Sequence, residues 1–257
     1  MSRWRIDGPA VRRWWRTRRP GPTHTLFVAP DAVTAWAPEG GEPGRFENVA
    51  GWAAAHPGTR ARLVLSGHVT RDLLADPALP LHDDTTVEAW ARHQFMHYHG
   101  AEAEGWPLAA WHDRGVRGVT ALHGIDLRTT IASAEAHDVA VVSAEPWWPV
   151  ALRAATRVRP ALATASGVAL ALVEGALVTW VDCAAGRVAA VHQRWLGAAT
   201  AADWSLLHRE LVAGLPVGGE HLVCGYGLVP GDDVSALPSG PWGAWHTGAP
   251  AREALGP

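Results

Sequence analysis

The sequence VALALVEGALVTWVDCAAGRVAAVHQRW spans residues 168–195 and carries the clearest strand pattern of the chain. It divides into three apolar runs, at 168–173, 176–182 and 188–195. The turns between them, Glu174-Gly175 and 184–186, are very short. Connections of this length join antiparallel neighbours, whereas parallel strands need a long crossover. The stretch therefore predicts a three-stranded antiparallel meander.

Outward from the meander, strand-like and helical segments alternate. A hairpin is predicted at 24–38 around Pro30-Asp31, because proline and aspartate favour turns. The apolar run at 139–143 is typical of a strand in a sheet that is covered on both faces. Further helices are expected at 48–56, 126–137 and 200–213, and further strands at 62–66, 108–112, 116–123 and 222–224.

Residues 79–100, LPLHDDTTVEAWARHQFMHYHG, predict a helix with two recognisable ends. Thr85 and Glu88 form a capping-box pattern, in which the hydroxyl and the carboxylate bind free backbone amides at the helix start. Gly100 supplies the left-handed residue that ends many helices. Apolar side chains at helical spacing predict one inward face, formed by Val87, Trp90, Ala91, Phe95 and Tyr98.

The same helix carries His93 and His97, whose i, i+4 spacing is that of two zinc ligands on one helix. A zinc protease helix also needs a glutamate directly after the first histidine, where this chain has Gln94. The pair lacks a third ligand on its own face, so we favour exposed or partner-facing histidines. A small metal-dependent hydrolase that uses His93 and His97 is the alternative function.

All 22 basic residues are arginine, because the sequence contains no lysine. Walker P-loops, kinases and Schiff-base enzymes each require a lysine amine, so these mechanisms are excluded. Ser66-Gly67-His68 lacks the G-x-S-x-G pattern of a hydrolase elbow. Strand alternation sends His221 and Cys224 to opposite faces, which argues against a Cys-His nucleophile. No catalytic residue is therefore assigned.

Residues 1–22 form a basic arm that also contains Trp4, Trp14 and Trp15. Seven arginines against Asp7 alone give the arm a charge of +6, and 15 arginines against 24 acidic residues give the remainder −9. Arginine with indole favours the interface of an anionic membrane. Nucleic acid is a less favoured partner, and a solvated tail without a partner is the alternative. The arginines concerned are Arg3, Arg5, Arg12, Arg13, Arg16, Arg18 and Arg19.

The expected compartment is the cytoplasm. No apolar run reaches the roughly 18 residues that a membrane span needs, and residues 1–22 place charge where a signal peptide has its apolar core. Cys183 and Cys224 both lie in apolar strand-like runs, which indicates reduced packing residues rather than a disulfide.

The chain resembles the actin-like cytoplasmic assembly proteins of bacterial type IV pili and type II secretion systems. The likeness lies in the order of elements: the hairpin, a strand before Leu79-Pro80, a helix ending in QFMHYHG, and the meander. It covers about residues 24–228 and implies an α/β fold with two RNase H-like lobes and mixed sheets. The implied division is a first lobe at 23–160, a reduced second lobe with the meander at 161–230, and a Pro/Gly-rich tail at 231–257.

The resemblance also implies a function. Members of this kind act as scaffolds at the cytoplasmic face of the inner membrane, so we expect a protein peripheral to that membrane. Its partners would be the cytoplasmic segments of inner-membrane pilus or secretion proteins.

Nucleotide binding carries over only in part. The family's first phosphate turn, Asp-x-Gly, corresponds to Asp-Ala-Val at 31–33, with no glycine to admit a phosphate close to the backbone. The second phosphate turn corresponds to Glu174-Gly175, and the adenosine turn to 224–227. We therefore expect a degenerate, non-hydrolysing relative without a cofactor. If ATP and magnesium were bound, their contacts would come from Asp31, Glu174, Gly175, Gly225 and Gly227.

Overall fold

The computed structural model describes residues 22–113, 115–196 and 219–226, together with the isolated positions 206, 209 and 213. Its strands are β1 Thr23–Val28, β2 Val33–Trp36, β3 Gly44–Phe46, β4 Arg60–Leu65, β5 Thr70–Leu74, β6 Leu108–Asp113, β7 Val116–Leu122, β8 Ala140–Pro146, β9 Gly167–Glu174, β10 Leu177–Ala184, β11 Arg187–Trp195 and β12 Glu220–Tyr226. Its α-helices are α1 Val49–Ala55, α2 Asp84–His99, α3 Leu127–Ala136 and α4 Trp147–Val158. Short 3₁₀ helices occupy Gly67–Val69, Gly100–Gly105 and Pro160–Ala163.

A five-stranded sheet has the order β3-β2-β1-β4-β8. Its β1 and β2 form the antiparallel hairpin that the sequence predicts, and β1, β4 and β8 run parallel. Helices α1 and α3 pack on one face through Trp52 and Ile131, while α4 packs on the other through Trp147. The run at 139–143 is therefore confirmed as part of a strand in a sheet that is covered on both faces.

A four-stranded sheet has the order β11-β10-β9-β12 and contains the predicted meander. The pairs β9–β10 and β10–β11 are antiparallel, and β12 joins β9 as a parallel strand. Every residue of β9 is buried. Phe27 of the five-stranded sheet, Trp147 of α4 and Leu170 of β9 belong to one core. Helix α4 therefore packs between the two larger sheets.

A three-stranded antiparallel sheet of order β5-β7-β6 is covered by α2. Val87, Ala91 and Phe95 of α2 are buried there, as predicted, and Trp90 packs at the edge of the same cluster. The prediction for Tyr98 is wrong, because this side chain is 66% exposed. Residues 96–100 are all exposed, so the last turn of α2 extends beyond the part of the helix that packs on the sheet.

The start of α2 differs from the prediction, whereas its end agrees. Asp83 is the N-cap and its carboxylate accepts from the Thr86 amide at 2.8 Å, while the Thr86 hydroxyl accepts from the Asp83 amide. The capping box therefore begins at Asp83 rather than Thr85, because an aspartate two positions earlier offers the better acceptor. The carboxylate of Glu88 instead accepts from the Ala110 amide of β6 at 3.3 Å. Gly100 ends the helix with a positive φ of 75°, as predicted.

The basic arm, the tail at 231–257 and most of the helix predicted at 200–213 lie outside the described residues. The division into lobes at residue 160 stays a prediction; that position opens the 3₁₀ helix Pro160–Ala163, directly after α4. Across the described parts of the chain, no helix combines the length and apolar character needed to cross a membrane.

Candidate functional site

The carboxylate of Glu174 lies at the junction between the five-stranded and four-stranded sheets. Glu174 is the last residue of β9 and is only 2% exposed. Its Oε1 accepts from the Gly67 amide at 2.7 Å. Its Oε2 accepts from the Ser66 hydroxyl and, at 3.2 Å, from the Tyr226 hydroxyl. A carboxyl group at the end of one sheet is thus held by two groups that directly follow β4 in the other sheet, and by the Tyr226 hydroxyl of its own sheet.

The segment Ser66-Gly67-His68 forms the opposite wall of this junction. Ser66 is fully buried, and its Oγ accepts from the His68 amide at 3.1 Å, which caps the 3₁₀ helix Gly67–Val69. A Cβ added to Gly67 would lie 2.7 Å from both Glu174 Oε1 and Thr179 Oγ1. Because contacts that short cannot persist, only glycine fits here without displacing its neighbours.

Further hydrogen bonds close the junction around Gly67. The Arg71 guanidinium donates through Nη1 to the Gly67 carbonyl at 3.0 Å and to Gln193 Oε1 at 3.1 Å. The Gln193 side-chain amide donates to the same carbonyl at 3.1 Å. Arg71 lies on β5 and Gln193 on β11, so the edges of the three-stranded and four-stranded sheets are joined at this point.

The electrostatics of the junction are governed by burial. Loss of hydration raises the pKa of Glu174, although the Ser66 hydroxyl, the Gly67 amide and His68 favour its charged form. Burial and the negative charge of Glu174 also raise the pKa of Tyr226, so the phenol stays protonated and donates to the carboxylate. A phosphate at this position would compete with Glu174 for the Gly67 amide and would be repelled by its charge. The junction is therefore a closed hydrogen-bonded unit.

The structure brings four of the five predicted nucleotide-contacting residues to this junction. Asp31 lies exposed in the β1–β2 turn, where its charge contributes to the raised pKa of Tyr226. The Gly175 amide donates to the Tyr226 carbonyl at 2.9 Å, and Gly225 pairs with Val173 in the β9–β12 ladder. Glu174 is the centre described above. Their role in nucleotide binding stays a prediction, and Gly227 lies outside the described residues.

Sequence reasoning missed Ser66, Gly67 and His68 as parts of the site. Their local sequence was informative only about a nucleophile elbow, whose pattern they do not match. The available signal was their position directly after the buried strand β4, at the carboxyl end where sheets of this class place functional groups. Their partner Glu174 stands more than 100 positions later, and no local pattern connects the two.

His93 and His97 are both exposed on α2. Over 22–113, 115–196 and 219–226, no group of three or more histidine, cysteine, aspartate or glutamate side chains is placed to hold a metal. Within these ranges, His93 and His97 therefore lack the third ligand that the alternative function, a metal-dependent hydrolase, would need. Cys183 and Cys224 are buried free thiols, as predicted, and burial raises the pKa of Cys183 to about 12.

No family model matches the chain, and no curated protein matches its sequence. Solved structures match its fold. The cytoplasmic domain of EpsL, an inner membrane component of the type II secretion system of Vibrio cholerae, aligns with a TM-score of 0.53 and 12% identity, over 91% of this chain and 93% of that chain. A protein of unknown function with an actin-like ATPase fold from Bacteroides thetaiotaomicron aligns with a TM-score of 0.52 and 11% identity, over 79% and 82%. The PilM-PilN type IV pilus biogenesis complex gives a TM-score of 0.46 and 12% identity, over 76% and 69%.

At this level of identity, the likeness to the first two structures concerns the fold alone. It agrees with the expected class, because the mixed five-stranded sheet, the meander and the helix between the sheets are all present. The chain has the α/β actin-like fold.

Proposed function

We propose that the protein is a non-catalytic scaffold of a type IV pilus or type II secretion-like machine, working at the cytoplasmic face of the inner membrane. It would bind the cytoplasmic segments of inner-membrane pilus or secretion proteins. The proposal treats the chain as a degenerate relative of the actin-like assembly proteins, with a first lobe at 23–160 and a second at 161–230.

One observation carries the non-catalytic part of this proposal. The carboxylate of Glu174 fills the junction between the sheets and accepts from the Gly67 amide, so a phosphate placed there would have to displace it. The chain also contains no lysine to neutralise a nucleotide. Both features favour a protein that keeps the fold of an ATPase without its reaction.

The fold supports the scaffold part. The match to the cytoplasmic domain of a type II secretion component extends over 91% of this chain, so the likeness is not confined to one sheet. The basic arm at 1–22 is consistent with a site next to anionic lipid, where each arginine contributes about 1 kcal/mol.

The non-catalytic part is tested by thermal unfolding of the full chain with millimolar ATP and magnesium. We expect a shift in Tm of less than about one degree, since a ligand at concentration c stabilises the folded state by RT ln(1 + c/Kd), which is close to zero when c is far below Kd. ADP and GTP serve as control nucleotides. A shift of several degrees with ATP alone, or ATP turnover by the pure protein, would overturn this part.

The scaffold part is tested by affinity purification of the tagged full chain from its native host. The expected result is enrichment of pilus or secretion inner-membrane proteins relative to the tag alone, as measured by mass spectrometry. Recovery of none of these proteins from cells that express the machine would contradict it.

The role of the arm is tested by vesicle sedimentation. The full chain and a chain lacking residues 1–22 are compared on neutral and on anionic vesicles. Stronger sedimentation of the full chain with anionic vesicles supports the membrane role. Equal sedimentation of both chains, or release of the full chain by added nucleic acid at equal charge, counts against it.

A further inference from the structure

A pocket of about 480 Å³ opens where α4, the 3₁₀ helix Pro160–Ala163 and the four-stranded sheet meet. It is separate from the Glu174 junction, and its wall includes Asp113 at the end of β6. All three sheets or their attached helices therefore contribute to it. Its volume lies within the range of roughly 300–1,000 Å³ that is usual for ligand pockets.

The floor of the pocket is apolar. Leu162, Val168 and Cys183 line it and are 3%, 2% and 8% exposed. The high pKa of Cys183 keeps this thiol neutral, so it acts as a small apolar group. Such a floor favours an aliphatic side chain, because each buried CH₂ contributes about 0.8 kcal/mol.

Two guanidinium groups line the α4 side of the pocket. Arg153 and Arg157 stand one helical turn apart and therefore share a face of α4. Arg153 binds the buried carboxylate of Glu145 at 2.6 Å, whereas Arg157 is exposed. Across the pocket, Asp113 accepts from the Val188 amide at 3.4 Å. The opening thus has a cationic side on α4 and a carboxylate on β6.

The charges and the apolar floor together favour some classes of ligand over others. A free phosphate or a nucleic acid would leave the apolar floor uncovered and would face the negative charge of Asp113. A peptide segment satisfies all three surfaces: an aliphatic side chain covers the floor, an acidic side chain meets Arg157, and backbone N–H groups face Asp113. We propose that this pocket docks a short segment of a partner protein in which an aliphatic residue lies next to an acidic one. The assignment of that partner as a pilus or secretion protein rests on the proposed function.

The proposal is tested by fluorescence anisotropy of the full chain. The probe is a library of fluorescein-labelled octapeptides that place one leucine and one glutamate at every spacing in a serine-glycine background. We expect saturable binding at one or two spacings, and loss of at least about tenfold in affinity when lysine replaces glutamate. The proposal is overturned if the glutamate peptides and the matching lysine peptides bind equally, or if no peptide shows saturable binding.

Two variants locate the binding. Ala163→Leu fills the pocket from the 3₁₀ helix and should abolish binding, while Ala161→Leu changes an exposed residue of the same helix that does not line the pocket. Arg157→Glu should weaken the glutamate peptides about tenfold and strengthen the lysine peptides. Because Arg157 is exposed, this variant keeps the test valid if Ala163→Leu unfolds, which thermal melting would reveal. The proposal is contradicted if a folded Ala163→Leu variant binds the peptides as tightly as the wild type. It is also contradicted if neither Arg157→Glu nor the change from glutamate to lysine in the peptides alters the affinity.

The outcome separates this inference from the proposed function. Peptide binding at the pocket without capture of pilus or secretion proteins would leave the inference standing and the function rejected. Capture of those proteins together with no saturable peptide binding would leave the function standing and the inference rejected.

Discussion

Two of the places where the four-stranded sheet meets the rest of the molecule differ in kind. At one, the Glu174 carboxylate, the Gly67 amide and the Tyr226 hydroxyl satisfy one another. At the other, an apolar floor under Arg157 stays open as a pocket of about 480 Å³. The first is sealed by polar groups of the protein itself, whereas the second has a buried apolar floor with Arg157 and Asp113 on its walls.

The difference lies in what a ligand would have to displace. Entry at the Glu174 junction would break hydrogen bonds to a buried carboxylate, and an unsatisfied buried group costs about 1–3 kcal/mol or more. Entry at the pocket would displace water from the apolar floor and from the exposed guanidinium of Arg157. A ligand would therefore enter the Glu174 junction less easily than the pocket.

Gly67→Ala should have the largest effect on stability. Its new methyl group would lie 2.7 Å from Glu174 Oε1 and Thr179 Oγ1 and 3.2 Å from Leu177 Cδ2. Because three neighbours must shift, we expect a loss of about 3 kcal/mol in the free energy of unfolding. Urea denaturation monitored by tryptophan fluorescence measures this loss.

The matched control is Gly105→Ala, which also alters a glycine of a 3₁₀ helix. A Cβ there meets nothing within 4 Å, so the stability should change by less than about 0.5 kcal/mol. Equal losses in the two variants would mean that the junction is looser than its contacts indicate.

Glu174→Gln should have an intermediate effect that depends on pH. Burial raises the pKa of Glu174 above its ordinary value of 4.5. At a pH between the ordinary and the raised pKa, the folded state therefore binds more protons than the unfolded state. This contribution to stability is fully present below the ordinary pKa and is lost as pH rises through the raised one. Its slope reaches at most about 1.4 kcal/mol per pH unit.

The measurement is a set of urea titrations of the wild type and Glu174→Gln from acid to neutral pH. The wild type should lose stability relative to the variant as pH rises, because glutamine keeps the shape of the side chain without its titration. Any slope from other groups, such as Asp72, whose pKa is raised to about 6 by burial, is common to both proteins. Parallel pH profiles would contradict a raised pKa at Glu174.

Most of the fold could be predicted from local sequence patterns. The meander at 168–195 could be predicted because its turns are too short for any other pairing. The end of α2 at Gly100 could be predicted because glycine readily adopts the positive φ that the residue after the helix has there. The errors on α2 are also local in origin. Helical spacing indicates which residues share a face, but it cannot say how far the covering sheet extends, and Tyr98 lies beyond that limit.

The site depended on long-range contacts that no local pattern contains. Glu174 was recognised as part of a turn, yet its burial and its bond to Ser66 follow from the packing of two sheets. The pocket under α4 was not foreseen, because its walls come from residues as distant as Asp113 and Gly186. Sequence periodicity predicts faces of single elements, whereas a site is formed where several faces meet.

Arg157→Ala should have the smallest effect on stability. Arg157 is exposed, so its loss should change the free energy of unfolding by less than about 0.5 kcal/mol. Arg153→Ala, one turn earlier, should cost about 2 kcal/mol, as is usual for a hydrogen bond to a charged group, because the buried carboxylate of Glu145 loses its bond to the partly exposed guanidinium. Urea denaturation of both variants measures the difference. A loss for Arg157→Ala as large as that for Arg153→Ala would mean that both arginines serve the fold, and the pocket would then resemble the sealed Glu174 junction rather than an open site.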